Sequence, residues 1–223
     1  NKKNFRTRSS VLIYENNTNI LIDTSPDLRQ QLYNAKCTNI DAVLFTHIHS
    51  DHVSGLPDMR AISVINNKII PSYMPHEMKQ KILSNYQYVF QGENDYKPFM
   101  SIKKLEDNFS INNIRVKTFK HNHGAIDVQT YRVGNFAYST DIKKFYNKDI
   151  DSLKNLDLWI VGLLRYDSHP SHCGLEEIME YVNYLKPKKT IFTHMTALID
   201  EEKINSLTPS NVLAGYDGME INL

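Results

Sequence analysis

Residues 42–52 constrain the fold more than any other stretch. Ala42-Val43-Leu44-Phe45 is an apolar, β-favouring run, and Thr46-His47-Ile48-His49-Ser50-Asp51-His52 follows it at once. Three histidines and one carboxylate therefore fall within six residues behind a buried-type strand. A strand that ends in a ligand-rich turn presents its side chains rigidly at its tip. If extended geometry persists into the turn, side-chain alternation puts His47 and His49 on one side. The chain then turns, and Asp51 and His52 face a second point. Neutral imidazole and carboxylate are ligands of zinc, manganese and iron. Four such ligands split two and two suit a pair of adjacent ions rather than one. A polar surface turn is the plainer alternative, and it leaves that spacing unexplained.

The remaining composition narrows the class. The chain has 223 residues, 41% of them hydrophobic, which suffices for one compact domain over residues 1–223. A net charge of +1 supports no broad electrostatic claim on nucleic acid or membrane. No apolar run reaches the roughly 18 residues that would span a bilayer. Two cysteines, Cys37 and Cys173, are too few for a disulfide framework, so a reducing, cytoplasmic setting is expected. Asn1-Lys2-Lys3-Asn4 does not read as a signal peptide. The chain does not begin with methionine, which admits an incomplete or processed polypeptide.

Taken in order, Val11-Leu12-Ile13-Tyr14 and Ile20-Leu21-Ile22 flank an Asn-rich turn and predict a β-hairpin. Ser25-Pro26 predicts a helix start, with the helix running to about Asn34. Further helices are expected over residues 56–64, 75–88 and 174–185, the last with Leu175, Ile178, Val182 and Leu185 on one face. Strands are expected at 42–46, 69–73, within 109–119, at 128–133, 136–140, 156–161 and 190–193, and in the tail near Met219 to Ile221. Residues 91–97 and 165–173 read as loops. A ligand-type residue follows four of these strands: His47, then His121 or His123, then Asp141, then His194. Strand tips along one sheet edge are where a shared site is assembled.

His-x-His-x-Asp-His followed by Gly55 resembles the signature of the metallo-β-lactamase superfamily of hydrolases, and the resemblance extends over essentially the whole chain. It implies an α/β fold, a four-layer αββα sandwich of two mixed sheets flanked by helices. His123-Gly124, Tyr138-Ser139-Thr140-Asp141 and Thr193-His194 resemble its further metal motifs, and Asp23 resembles an aspartate that supports the first motif from behind. The implied partition places His47, His49 and His123 on one metal, Asp51, His52 and His194 on the other, and Asp141 between them. The cofactors so implied are two divalent transition metals, zinc or manganese, with iron also compatible.

Asp23-Thr24-Ser25-Pro26-Asp27-Leu28-Arg29, Leu164-Arg165-Tyr166, His169-Pro170-Ser171-His172 and Tyr216-Asp217-Gly218-Met219 are similar to the branch of cyclic phosphodiesterases that open a ribosyl cyclic phosphate. That similarity implies a small phosphodiester substrate and makes His172 a catalytic histidine outside the ligand set; His169 and His121 are read as supporting or structural. Three features depart from the branch. Gly162 stands where an aspartate is usual, Ala197-Leu198-Ile199 follows the last metal histidine where polar residues are usual, and a glycine-rich strand and cysteine cluster are missing before Arg6-Thr7-Arg8-Ser9-Ser10. The expected reaction is attack by a metal-activated hydroxide that Asp51 orients, with His172 serving the phosphate or the leaving oxygen. The alternatives are lactone or thioester hydrolysis, a tRNA-processing-type nuclease, and a non-catalytic metal-binding accessory protein. Neither membrane nor nucleic acid is expected as a partner, and a homodimer is left open.

Overall fold

The computed structural model describes residues 1–223 and contains two compact units, Arg8–Ile114 on the one hand and Asn1–Thr7 with Arg115–Leu223 on the other.

In the unit Arg8–Ile114, β1 (Val11–Glu15) and β2 (Thr18–Ile22) form the expected hairpin. Its two-residue loop places Asn16 and Asn17 at φ 49° and 61°, the left-handed pair that a tight hairpin demands and that asparagine tolerates. Next come α1 (Leu28–Asn34), β3 (Ala42–Leu44), α2 (Ser50–Val53), α3 (Met59–Ile65), β4 (Ile70–Met74), α4 (His76–Gln91), β5 (Met100–Lys104) and β6 (Asn108–Ile111). The sheet order is β1-β2-β3-β4-β5, with β2 to β5 parallel. All three residues of β3 are buried, as a parallel strand covered on both faces requires. Its core includes Leu21, Leu28, Val43, Phe45, Leu56 and Met59.

In the other unit, β7 (Ile114–His123), β8 (Ile126–Val133), β9 (Phe136–Ser139), β10 (Lys144–Phe145), β11 (Leu158–Gly162), α5 (Leu175–Leu185), β12 (Lys189–Thr193), α6 (Glu201–Leu207) and β13 (Val212–Ala214) follow in order. The sheet runs β10-β7-β8-β9-β11-β12-β13. β7, β8 and β9 are antiparallel neighbours, whereas β9, β11, β12 and β13 are parallel. Both sheets are therefore mixed and accompanied by helices, as the resemblance implied. Trp159 is fully buried in this unit's core, and its indole Nε1–H donates to Ser139 Oγ at 3.1 Å.

Several expectations need correction. β7 does not stop near Phe119. It continues through His121 and Asn122 to His123, because β8 supplies a ladder partner for each residue and pairing overrides the polar composition. The tail strand near Met219 is absent; β13 at Val212–Ala214 completes the sheet instead. The helix expected over 56–64 is a 3₁₀ turn at Leu56–Asp58 followed by α3. The helix after Ser25-Pro26 begins at Leu28, because the Ser25 hydroxyl accepts the Asp27 N–H and makes a turn there. β5, β10 and α6 had no sequence expectation. The start of α6 was legible in hindsight, since Asp200 caps it by accepting the Lys203 N–H at 2.9 Å.

Gly55 shows how tightly the region behind the histidine motif is packed. Its N–H donates to Thr24 O at 3.0 Å. A Cβ on Gly55 would lie 2.0 Å from the Ser25 carbonyl oxygen and 2.8 Å from Leu28 Cβ. Gly55→Ala is therefore expected to cost about 3 kcal/mol as overpacking, which lowers Tm by roughly 6–12 °C for a chain of this size. Thermal melting checks this, and an unchanged Tm would show that the loop yields.

Candidate metal centre

In the unit Arg8–Ile114 the motif leaves β3 and closes into α2. His49 is the extended residue before the helix, at φ −61° and ψ 148°, and Asp51 and His52 lie on the single helical turn. The expected alternation brings His47 and His49 together: His47 Nε2 and His49 Nδ1 are 2.9 Å apart. The His47 and His52 rings are 4.3 Å apart, and His52 Nε2 lies 3.6 Å from Asp51 Oδ2. The four motif residues thus converge within this unit.

Their ring states follow from the bonding pattern. Asp23 is fully buried. It accepts the Thr46 N–H at 2.8 Å on Oδ1, and on Oδ2 it accepts the Thr46 hydroxyl at 2.7 Å and His52 Nδ1–H at 2.7 Å. Having given its one proton to Asp23, the Thr46 oxygen acts as acceptor toward His47 Nδ1–H at 3.0 Å. Both Nδ1 atoms therefore carry protons, and in the neutral rings Nε2 holds the lone pair that a metal requires. A carboxylate behind a histidine is the usual means of orienting a ligating imidazole. The supporting role expected of Asp23 is matched by these bonds, whereas the part played by Thr46 was not foreseen.

In the unit containing Arg115–Leu223, His123 ends β7, Asp141 follows β9 and His194 follows β12. His123 Nδ1–H donates to the Ser171 carbonyl at 2.7 Å. A carbonyl only accepts, so His123 Nε2 is again the lone-pair nitrogen. Gly124, at φ 69°, makes this approach feasible, because a Cβ there would sit 3.0 Å from Ser171 Cβ. His194 Nε2 and His172 Nδ1 each lie 3.6 Å from Asp141 Oδ1. One donor atom each from His123, Asp141 and His172 fits within 4.8 Å, a grouping that suits a metal ion. His172 is thus placed among the ligand candidates of its own unit, not apart from them.

Three residues at strand ends share an uncommon backbone. Asp23, Asp141 and His194 have φ of 62°, 51° and 58°. Left-handed backbone at non-glycine residues costs on the order of 1–3 kcal/mol and concentrates at functional sites. Here it turns a side chain sharply off the strand direction. Beside Asp141 the backbone packs closely on position 162, where the sequence has glycine. A Cβ on Gly162 would stand 3.0 Å from the Asp141 N.

Burial pushes the His172 imidazole down to about 4, reinforced by His123, His194 and His169 and opposed by the Asp141 carboxylate. In the ligand-free protein His172 is therefore neutral at pH 7. His169 accepts the Ser171 N–H at 3.4 Å through Nδ1 and joins His172 in a tight turn, with His169 N donating to His172 O at 2.9 Å. Its observed part is to shape the loop. Burial also pushes the Cys173 thiol up to about 12, which disqualifies it as a nucleophile at neutral pH.

A family model described as a β-lactamase superfamily domain matches residues 18–195. A protein of Porphyromonas gingivalis named octanoyltransferase is 32% identical over 223 residues, an alignment that takes in 96% of this chain and 44% of that protein. The chain thus spans less than half the length of that relative. The anti-Pycsar protein Apyc1 of Bacillus phage BSP38 is 24% identical over 209 residues, covering 81% of this chain and 78% of the phage protein. Among solved structures, one described as a new diphosphatase from the PhnP family superposes with a TM-score of 0.92 at 26% identity, over 100% of this chain and 87% of the other.

Proposed function

Since the chain belongs to the β-lactamase superfamily and has the metallo-β-lactamase fold, we propose that it is a hydrolase that cleaves a small phosphodiester at a dinuclear metal centre. His47, His49 and His123 would hold one ion, Asp51, His52 and His194 the second, and Asp141 both. The single observation that carries the substrate class is the full-length similarity to a PhnP-family diphosphatase.

The residues present fit such ions. His47, His52 and His123 each have Nδ1–H engaged by a buried acceptor, which sets Nε2 as the lone-pair nitrogen in each neutral ring. Imidazole with carboxylate suits zinc and manganese and is compatible with iron. When bound, two divalent ions supply hydroxide at neutral pH and neutralise charge on the phosphoryl oxygens. The protein residues do the rest. Asp51, partly open to solvent, orients the attacking water through its second carboxylate oxygen. His172, neutral in the resting protein, offers a ring N–H to the phosphoryl group, and the arriving negative charge favours its protonated form for the leaving oxygen.

A second reading rests on the relative named octanoyltransferase. An octanoyl transfer is attack on an acyl carbonyl, so hydrolysis of an acyl substrate such as a thioester or lactone is the rival class. That name attaches to a protein of which this chain matches less than half.

Elemental analysis of protein purified without chelator is expected to give up to two transition-metal ions per chain. Reconstituted protein that never exceeds one would sink the dinuclear assignment. His123→Ala is expected to lose metal. A panel of cyclic nucleotides, ribosyl cyclic phosphates, diphosphates, RNA, lactones and thioesters then tests the substrate class. Metal-dependent turnover of small phosphodiesters is expected, and turnover confined to thioesters or lactones would install the rival reading.

A further inference from the structure

We infer that His121 is a positioning residue for Asp141, acting through the peptide bond that enters it; this rests on the proposed role of Asp141 as a ligand. His121 is fully buried, two residues before His123 on β7. Both of its ring nitrogens are engaged within its own unit. The Thr140 carbonyl accepts Nε2–H at 2.8 Å, which leaves Nδ1 as an acceptor facing the Thr130 hydroxyl at 3.0 Å, and that hydroxyl also lies 3.0 Å from Ser139 Oγ. The ring therefore has no nitrogen to spare for a metal.

What it holds is specific. The Thr140 carbonyl belongs to the peptide linking Thr140 to Asp141, and Asp141 has the left-handed φ of 51°. The orientation of that peptide plane sets where the carboxylate points. Two other contacts bear on the same place: the Thr140 hydroxyl donates to Asp141 Oδ2 at 2.8 Å, and Gly162 packs closely against Asp141, where a Cβ would stand 3.0 Å from the Asp141 N. The carbonyl is thus constrained from β7, the amide nitrogen from β11, and the carboxylate by the hydroxyl of the preceding residue.

A space-filling role alone does not account for an imidazole here. Its ring packs beside Phe145, with centroids 5.4 Å apart, where an apolar side chain would suffice. Burying a polar ring is unfavourable unless its hydrogen bonds are needed. Removing the Nε2–H would leave the Thr140 carbonyl buried without its partner. That peptide would then rotate in search of one and carry Asp141 with it.

The test uses two substitutions and cobalt(II) as the probe. His121→Phe keeps a ring and removes the donor; His121→Gln keeps an N–H at nearly the Nε2 position. Calorimetric titration of the metal-free proteins with cobalt(II), with the visible spectrum recorded in parallel, reads affinity and coordination. His121→Phe is expected to weaken the Asp141-dependent ion by roughly 10–100-fold, the range seen when partners of ligands are removed, and to alter its spectrum. His121→Gln is expected to recover most of the loss. Wild-type affinities and spectrum in His121→Phe would overturn the inference. Equal loss of metal from both variants would overturn it as well, and make the ring itself a ligand or a purely structural element. Should His121→Phe fail to fold, His121→Met removes the same Nε2–H with a more pliable side chain, and an unaltered cobalt(II) spectrum there would likewise overturn the inference. Failure of the dinuclear reading shows separately, as a wild-type protein that takes up only one ion. The inference then stands only if Asp141→Ala and His121→Phe both weaken that ion.

Discussion

Asp23→Asn is expected to lower metal affinity by roughly 10–100-fold although Asp23 itself touches no metal in the proposed centre. The carboxylate is fully buried and accepts three hydrogen bonds, two of them on Oδ2. An amide nitrogen at the Oδ2 position would face the Thr46 hydroxyl and His52 Nδ1 with hydrogens where they now find an acceptor. His52 would then relieve the clash by moving its proton to Nε2, the nitrogen that ligation needs. Thr46 would turn its own proton elsewhere and cease to fix His47. The opposite amide orientation instead confronts the Thr46 N–H with a donor, at about 1–3 kcal/mol for the unpaired group. Elemental analysis after exhaustive dialysis measures the outcome, with thermal melting as the control for folding. Asp23→Asn protein that retains its full metal content would show that His52 is not oriented from behind.

His172→Ala is expected to fold normally, keep its metal content and lose about 10²–10⁴-fold in kcat on a phosphodiester with a poor leaving group, the usual contribution of a general acid or base. The loss is expected to shrink for a nitrophenolate ester, whose leaving oxygen needs no proton. His172 lies 3.6 Å from Asp141 and its ring is 4.6 Å from that of His123. Geometry within its own unit therefore admits it as a ligand also. Metal content decides between the two roles. Loss of an ion in His172→Ala would move it into the ligand set, and unchanged turnover of every phosphodiester would favour the thioester or lactone reading.

Much of this molecule was legible in local sequence. The β1–β2 hairpin follows from two apolar runs around Asn16-Asn17, and α5 from Leu175, Ile178, Val182 and Leu185 ahead of Pro187. Both depend on patterns that repeat within a few residues. The motif from His47 to His52 was readable for the same reason. Alternation out of β3 brings His47 and His49 together without help from the rest of the chain. Where residues take their structure from distant partners, local reading went astray. Lys120 to His123 look like a polar turn and are strand, because β8 lies alongside. Met219 to Ile221 look like strand and are not, because β13 already occupies the edge beside β12.

The sequence by itself determined which chemistry is available and that each candidate ligand follows an apolar strand. Only the tertiary structure decided how those groups are prepared. His52 takes its proton partner from a residue 29 positions away and His123 from a carbonyl 48 positions away. These bonds select the ring nitrogen left for a metal. His121 and His123 are two residues apart on one strand. In one, Nε2 carries the proton and gives it to the Thr140 carbonyl; in the other, Nδ1 carries it and gives it to the Ser171 carbonyl, so packing sets opposite tautomers on the two rings. The left-handed backbone of Asp23, Asp141 and His194 is likewise invisible in residue type. A side chain specifies what it can bond to, whereas packing by remote segments specifies what it does bond to and in which direction it is held.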